Sequence, residues 1–191
     1  MRSRTPEGFE GHCPRCLLRR EVCLCERIPV IPTRVRVVIV RHIVERLRTS
    51  NTGRLAALAL PNSELLDYGD LEEPLDESRL VGEGAWLLYP GPRAPPPGTL
   101  PPQRLIVLDG TWKQSRKMFA RIDVLRGLPC LPLSPPGALV QRLRQPPRED
   151  GMSTIEAIAG ALAVLEGEEP ARQLRAVHDA HVQAVVTLRG Y

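Results

Sequence analysis

Four of the five cysteines fall within thirteen positions, as Cys13-Pro14-Arg15-Cys16 and, after six residues, Cys23-Leu24-Cys25. Zinc favours four soft ligands in a tetrahedron, and a Cys-x-x-Cys knuckle presents two thiolates at a suitable bite. The Cys-x-Cys pair is tighter but can still chelate. Four thiolates close the coordination shell, so Cys13, Cys16, Cys23 and Cys25 are expected to hold a structural zinc ion rather than a catalytic one. His12 is a possible substitute ligand. A disulfide pair or a redox Cys-x-x-Cys is the alternative, although a redox motif normally opens a helix after a strand and no strand-like run precedes this one. Cys130, beside Pro129, reads as a small buried hydrophobe.

A second group of residues can do chemistry. The apolar run Leu105-Ile106-Val107-Leu108 leads directly into Asp109-Gly110-Thr111-Trp112. A strand ending this way puts a carboxylate at the carboxyl edge of a sheet, where α/β proteins bind ligands. Gly110 lets the chain turn or lets a ligand approach. Thr111 brings a hydroxyl to a helix start, and Trp112 offers a flat surface. The same four residues also suit an ordinary helix start, with Asp109 as its cap and Trp112 packed in the core.

Both groups need a frame. Residues 35–40 read as a buried β-branched strand, 64–68 as a second, 85–89 as a third and 105–108 as the clearest. A weaker run over 128–133 is interrupted by Pro129 and Pro132. Asn51 or Thr52 can cap a helix carrying Leu55, Ala56, Leu58 and Ala59 that stops at Pro61. The pattern predicts a helix over 112–125. Ser153 begins another, with Glu156 as a capping-box partner and Ile155, Ile158, Ala159, Leu162 and Leu165 at helical spacing. Pro170 opens a last helix holding Leu174, Val177, His181, Val185 and Leu188. Strands alternating with helices predict an α/β fold, a mostly parallel sheet with flanking helices. Ile28-Pro29-Val30-Ile31-Pro32 reads as an extended linker. It separates a small zinc-binding segment, 1–33, from an α/β domain, 34–191.

A chain of 191 residues with 42% hydrophobic content can bury a core without disulfides or oligomerisation. No run approaches the ~18 apolar residues of a membrane span. Met1-Arg2-Ser3-Arg4 leads into charges and cysteines, so no signal peptide is expected and the cytoplasm is the expected compartment. The net charge of +4 is unevenly spread. Twelve Arg face five acids through residue 54, eight acids face one Arg over 64–83, and nine Arg or Lys face two Asp over 104–148. Separated basic blocks either converge on a phosphate-binding surface or form the solvated surface of an Arg-rich chain.

Leu108-Asp109-Gly110-Thr111-Trp112-Lys113-Gln114-Ser115-Arg116-Lys117 resembles the Asp-x-Thr-Trp signature of the DTW-domain family. Three other segments resemble that family in the same order. They are the opening cysteine cluster, Arg41-His42 with Asn51-Thr52-Gly53-Arg54-Leu55-Ala56, and Arg142-Leu143-Arg144-Gln145-Pro146 with Ser153-Thr154-Ile155-Glu156-Ala157. The resemblance implies a tRNA-uridine aminocarboxypropyltransferase. Such an enzyme moves the 3-amino-3-carboxypropyl group of S-adenosylmethionine (SAM) to N3 of a tRNA uridine and releases methylthioadenosine. It also implies a fold similar to knotted SPOUT methyltransferases. On that reading Asp109 is the expected general base for the N3 proton. SAM is expected against Leu87, Tyr89, Pro90, Leu108, Thr111, Trp112, Leu131, Ser134 and Ser153. The tRNA is expected against His42, Lys113, Arg116, Arg142 and Arg144. Trp112 could stack on adenine or on the target base, and Arg142 and Arg144 could bind the SAM carboxylate or a tRNA phosphate. Plainer uses exist for several of these: Trp112 as a helix anchor, Ser153 with Glu156 as a cap, His42 as a loop residue, Arg142 and Arg144 as solvated surface. The zinc segment is expected to stand in for the second subunit of dimeric SPOUT enzymes, leaving a monomer. SAM-dependent RNA methyl transfer and non-catalytic RNA binding are the alternatives.

Overall fold

Period-two alternation along two unbroken apolar strands decides how this chain is layered. A computed structural model describes residues 8–91, 93–95, 97–132 and 152–189. Its sheet has five strands, β1 (Arg36–His42), β2 (Ser63–Tyr68), β3 (Ala85–Leu88), β4 (Arg104–Asp109) and β5 (Cys130–Leu131), in the order β2-β1-β4-β3-β5. Every pairing is parallel. Four helices accompany it among the described residues, α1 (Thr52–Ala59), α2 (Trp112–Arg121), α3 (Thr154–Glu166) and α4 (Glu168–Arg189). Val37 and Ile39 of β1, Leu105 and Val107 of β4, and Trp86 and Leu88 of β3 pack on one face with α1, α3, α4 and the cysteine segment. Val38, Val40, Leu87, Ile106 and Leu108 pack on the other with Met118 of α2, Ile122 and Leu125. Burial on both faces explains why these strands read as continuous apolar runs.

The connections create a crevice. The chain leaves β1 through α1 towards one edge of the sheet and leaves β4 through α2 towards the other. Parallel crossovers are right-handed, so opposite directions place α1 and α2 on opposite faces. That reversal lies between the neighbouring strands β1 and β4, the position at which open α/β sheets bind ligands. His42 and Asp109 end those two strands.

Local boundaries differ from the sequence pattern for identifiable reasons. The helix expected over 112–125 ends at Arg121, because Ile122 turns to an extended conformation and buries its side chain; a 3-10 segment, Asp123–Gly127, follows. The run at 128–133 keeps only the two residues of β5, since Pro129 and Pro132 cannot donate to a ladder. The last helix starts at Glu168, with Pro170 in its first turn where no N–H partner is needed. Gly167, at φ 96°, breaks α3 from α4. No described helix is long and apolar enough to cross a membrane.

His181 of α4 is fully buried and its Nε2 donates to the Thr49 carbonyl at 3.1 Å, tying α4 to the turn before α1. Burial holds its pKa down to about 4 from 6.5. Between those values the unfolded chain binds a proton that the folded chain refuses. Stability must therefore fall as pH drops through this window, by up to roughly 1.4 kcal/mol per unit. Urea unfolding of His181→Leu is expected to show a shallower acid limb than the wild type, and equal limbs would exclude this coupling.

Candidate active site and metal centre

The alternation that buries the strands also sorts the groups at their carboxyl ends. Asp109 continues the phase of Leu105 and Val107, Arg41 that of Val37 and Ile39, and Asp67 that of Leu65. Arg41 is in register with both Asp67 and Asp109. A charged row thus crosses β2, β1 and β4 on the face covered by α1 and α3. Arg41 engages Asp67 with a fork of two bonds, 2.7 and 2.9 Å. Asp109 accepts instead from Asn51 Nδ2 at 2.7 Å and from Thr154 Oγ1 at 2.5 Å, and is 2% exposed.

Those two donors belong to helix starts. Asn51 caps α1, its Oδ1 accepting from the Arg54 backbone N–H at 2.9 Å, and Thr154 is the first residue of α3. The carboxylate therefore joins two helix N-termini, which favour negative charge. Gly53 permits the approach: a Cβ there would lie 2.6 Å from the Asp109 Cγ and Oδ2. Burial pushes the Asp109 carboxyl up, while Asn51, Thr154 and Arg41 pull against that rise. The expectation of a carboxylate open at the sheet's lip is corrected here, because the start of α3 closes over it.

Arg54 lies in the same electrostatic field. Its Nη2 donates to the Arg46 carbonyl, and its Nε is buried without a hydrogen-bond partner. Burial first, then the nearby Arg41, bring its pKa down to about 10, so it stays cationic at neutral pH. A half-buried guanidinium that stays charged beside Asp109 suits the anionic end of a zwitterionic ligand. The sequence reading did not single out Arg41, Asn51, Gly53, Arg54 or Thr154 as site residues. Extending the alternation of β1 and β4 by one residue would have pointed to Arg41.

The other face of the same edge is aromatic. Tyr89 follows β3 in the phase of Leu87. Trp112 and Phe119 are two turns apart on α2, and the Tyr89 ring lies between them, 5.9 Å from Trp112 and 4.5 Å from Phe119 with interplanar angles of 14° and 16°. Trp112 is 40% exposed, so it is not a core anchor. His42 leans on Tyr68, with ring centroids 6.0 Å apart, and its Nδ1 accepts from the Val44 N–H. Burial lowers its pKa.

The remaining expected ligand positions divide between backbone and caps. Thr111 and Gln114 form a capping box, so Thr111, not Asp109, caps α2. Ser153 and Glu156 form the same device at α3. Leu87, Leu108 and Leu131 are brought to the ends of adjacent strands, but their side chains are buried in the core and only main chain is left for a ligand. Pro90, Lys113 and Arg116 are exposed. Ser134, Arg142 and Arg144 lie outside the described residues.

The cysteine cluster has the geometry its spacing suggests. All four Sγ atoms lie within 4.8 Å of one another, with Cys13 to Cys25 at 3.6 Å and Cys16 to Cys23 at 3.7 Å. Zn–S bonds of about 2.3 Å in a tetrahedron separate sulfurs by roughly 3.8 Å, whereas a disulfide needs about 2.05 Å. Leu17, at φ 60° and fully buried, makes the knuckle turn, its N–H donating to the Cys13 carbonyl. Burial raises the Cys13 thiol, but the backbone N–H groups of Cys16 and Arg15 outweigh it, with Cys23 and Cys25, and bring it to about 7. Four thiols in this arrangement fit a zinc ion. Cys130 is buried as expected, with its Sγ where a Cβ on Gly91 would fall. Elemental analysis is expected to find about one zinc per chain, lost in Cys16→Ser together with a lower melting temperature; unchanged zinc content in that variant would remove the site.

Fold and site together define an α/β protein with a crevice at its switch point and a four-cysteine cluster that could hold a metal ion. Residues 10–186 match the DTW domain, and the chain belongs to that family. It is 29% identical over 188 residues to tRNA-uridine aminocarboxypropyltransferase 2 of Drosophila melanogaster, covering 90% of this chain and 73% of the relative. It is 29% identical over 167 residues to the Mus musculus protein of the same name, covering 81% of this chain and 56% of the relative. It is 28% identical over 203 residues to tRNA-uridine aminocarboxypropyltransferase A of Arabidopsis thaliana, covering 86% and 77%. The chain thus spans little more than half the length of the mouse relative. No solved structure matches the chain.

Proposed function

We propose that this protein is a tRNA-uridine aminocarboxypropyltransferase, moving the 3-amino-3-carboxypropyl group of SAM to N3 of a tRNA uridine. The observation that carries the reading is the Asp109–Trp112 turn at the sheet's switch point, in a chain whose relatives are named for this reaction. On this reading residues 1–33 serve as the zinc module and 34–191 as the catalytic domain. The protein acts as a monomer in the cytoplasm, with a SPOUT-like, knotted fold; the all-parallel sheet with helices on both faces supports that assignment.

When bound, SAM supplies a sulfonium-activated γ-carbon: its C–S bond breaks as the C–N3 bond forms, releasing methylthioadenosine and the N3 proton. Which carbon is transferred depends on which lies in line with the nucleophile, so the protein's task is positioning. Main chain at Leu87, Tyr89, Pro90, Leu108 and Leu131 borders the cofactor side of the crevice. The Arg54 guanidinium would face the methionine carboxylate. Asp109 is too enclosed to touch a nucleobase, so it acts through Thr154, whose half-buried hydroxyl already donates to it. The N3 proton passes to the Thr154 oxygen as the hydroxyl proton passes to Asp109. The burial that raises the Asp109 pKa strengthens it as the final acceptor. Thr111 and Ser153 hold the two helix starts that frame the reaction.

Nucleoside mass analysis of tRNA incubated with SAM labelled separately in the methyl and carboxyl carbons tests the reaction. Label is expected only from the carboxyl carbon, and methyl label would establish methyl transfer instead. Asp109→Asn is expected to abolish transfer in a variant that still folds and holds zinc, with a lowered melting temperature from the weakened bonds to Asn51 and Thr154. Thr154→Val should lose about 10²- to 10⁴-fold in rate, with Thr154→Ser retaining activity. Full activity in Thr154→Val would remove the relay.

A further inference from the structure

We propose that the exposed face of Trp112, with the cations on the outward side of α2, forms the surface that receives an RNA nucleotide and its flanking phosphates. The proposal rests on the reading of tRNA as substrate and concerns where on this chain the RNA sits. Three observations carry it.

The first is the ring stack. Tyr89 fills the two-turn gap between Trp112 and Phe119, so Trp112 is the outermost of three nearly parallel rings. At the first position of α2 it has no preceding helical turn beside it. Its second face meets no other ring among the described residues, and 40% of the residue is exposed. A supported, half-open indole is a stacking platform that accepts any nucleobase.

The second is charge sorting. Arginines elsewhere among the described residues include several in ion pairs: Arg34 with Glu166, Arg36 with Glu64, Arg41 with Asp67, Arg46 with Asp70, Arg172 with Glu169 and Arg175 with Glu168. Lys113, Arg116, Lys117 and Arg121 of α2 are exposed and have no ion-pair partner among the described residues. They recur at three- and four-residue spacing along one side of the helix, with no acid among them. The third is proximity. Arg116 is near enough to Tyr89, and Lys117 to His42, to act on each electrostatically, so the cations border the aromatic face.

Charge decides between the two planar ligands available. SAM carries a net positive charge through its sulfonium and ammonium groups, and four unpaired cations repel it. A polynucleotide gains from each of them by counterion release. The indole therefore faces the RNA base, while the cofactor's amino-acid end lies on the opposite, charged face of the edge.

Binding of an unmodified tRNA transcript, followed by fluorescence anisotropy across a salt series, tests this, with SAM affinity measured in parallel by calorimetry. Trp112→Ala is expected to weaken tRNA binding roughly 5- to 150-fold, the range of one lost base stack, with Trp112→Phe retaining most of the affinity. Replacing Lys113, Arg116 and Lys117 together by Ser should reduce the slope of log K against log salt by about 2. SAM affinity is expected to stay at the wild-type value in both; the melting temperature should stay unchanged in the triple variant and fall in Trp112→Ala with the lost stack on Tyr89, with Trp112→Phe restoring it. Unchanged tRNA affinity in folded variants would overturn the proposal, as would a loss in Trp112→Ala that falls on SAM rather than tRNA. If the wild type transfers nothing from SAM but these variants still lose tRNA, the surface stands and the proposed reaction falls.

Discussion

The carboxyl edge of this sheet is organised by one buried carboxylate. Taking an ion of this size out of water costs several kcal/mol unless hydrogen bonds replace its hydration. Asp109 finds those bonds only where Asn51 and Thr154 meet it, at the starts of α1 and α3. Each bond to a charged group contributes about 1.5–3 kcal/mol, and the two helix dipoles add to them. The requirement to satisfy Asp109 thus fixes where two helices begin, although they are separated by about half the chain. Gly53 is the steric condition for this arrangement, since any larger residue would occupy the space of the carboxylate.

From that constraint follows a division of labour between the two sides of the edge. One phase of the strand alternation carries Asp67, Arg41 and Asp109 to the face covered by α1 and α3, with Arg54 nearby. The opposite phase carries Tyr68, His42 and Tyr89 to the face covered by α2, where Trp112 completes the ring stack. A charged, enclosed side and an aromatic, open side meet at the same crevice. The arrangement suits a reaction between a zwitterionic cofactor and a nucleobase, which have little in common except the line along which they must meet. The cysteine segment packs into the core beneath α1 and α4, so a metal there would brace the charged side from behind.

Much of the frame was legible in the sequence. The strands at 35–40 and 105–108, the helix beginning at Thr52, the Ser153–Glu156 box and the cysteine spacing each reflect a local rule that tertiary packing did not override. Boundaries failed where a single side chain outweighed propensity, as when Ile122 leaves the helix to reach the core. The site was read less completely. Asp109 was found because a strand ends on it, but its burial depends on Thr154, 45 residues away, and no local pattern reports that contact. Trp112 was ambiguous for a related reason: only the position of Tyr89, set by β3 pairing, distinguishes a platform from a core anchor.

The account depends on the close approach of α1 to the Asp109 carboxylate, and Gly53→Ala perturbs that contact without altering any functional group. The decisive measurement is its single-turnover rate of aminocarboxypropyl transfer, taken with zinc content and tRNA affinity. The account predicts a rate lowered by at least about tenfold, with zinc and tRNA binding unchanged, because the added methyl must displace the carboxylate from Thr154. A variant transferring at the wild-type rate would contradict it.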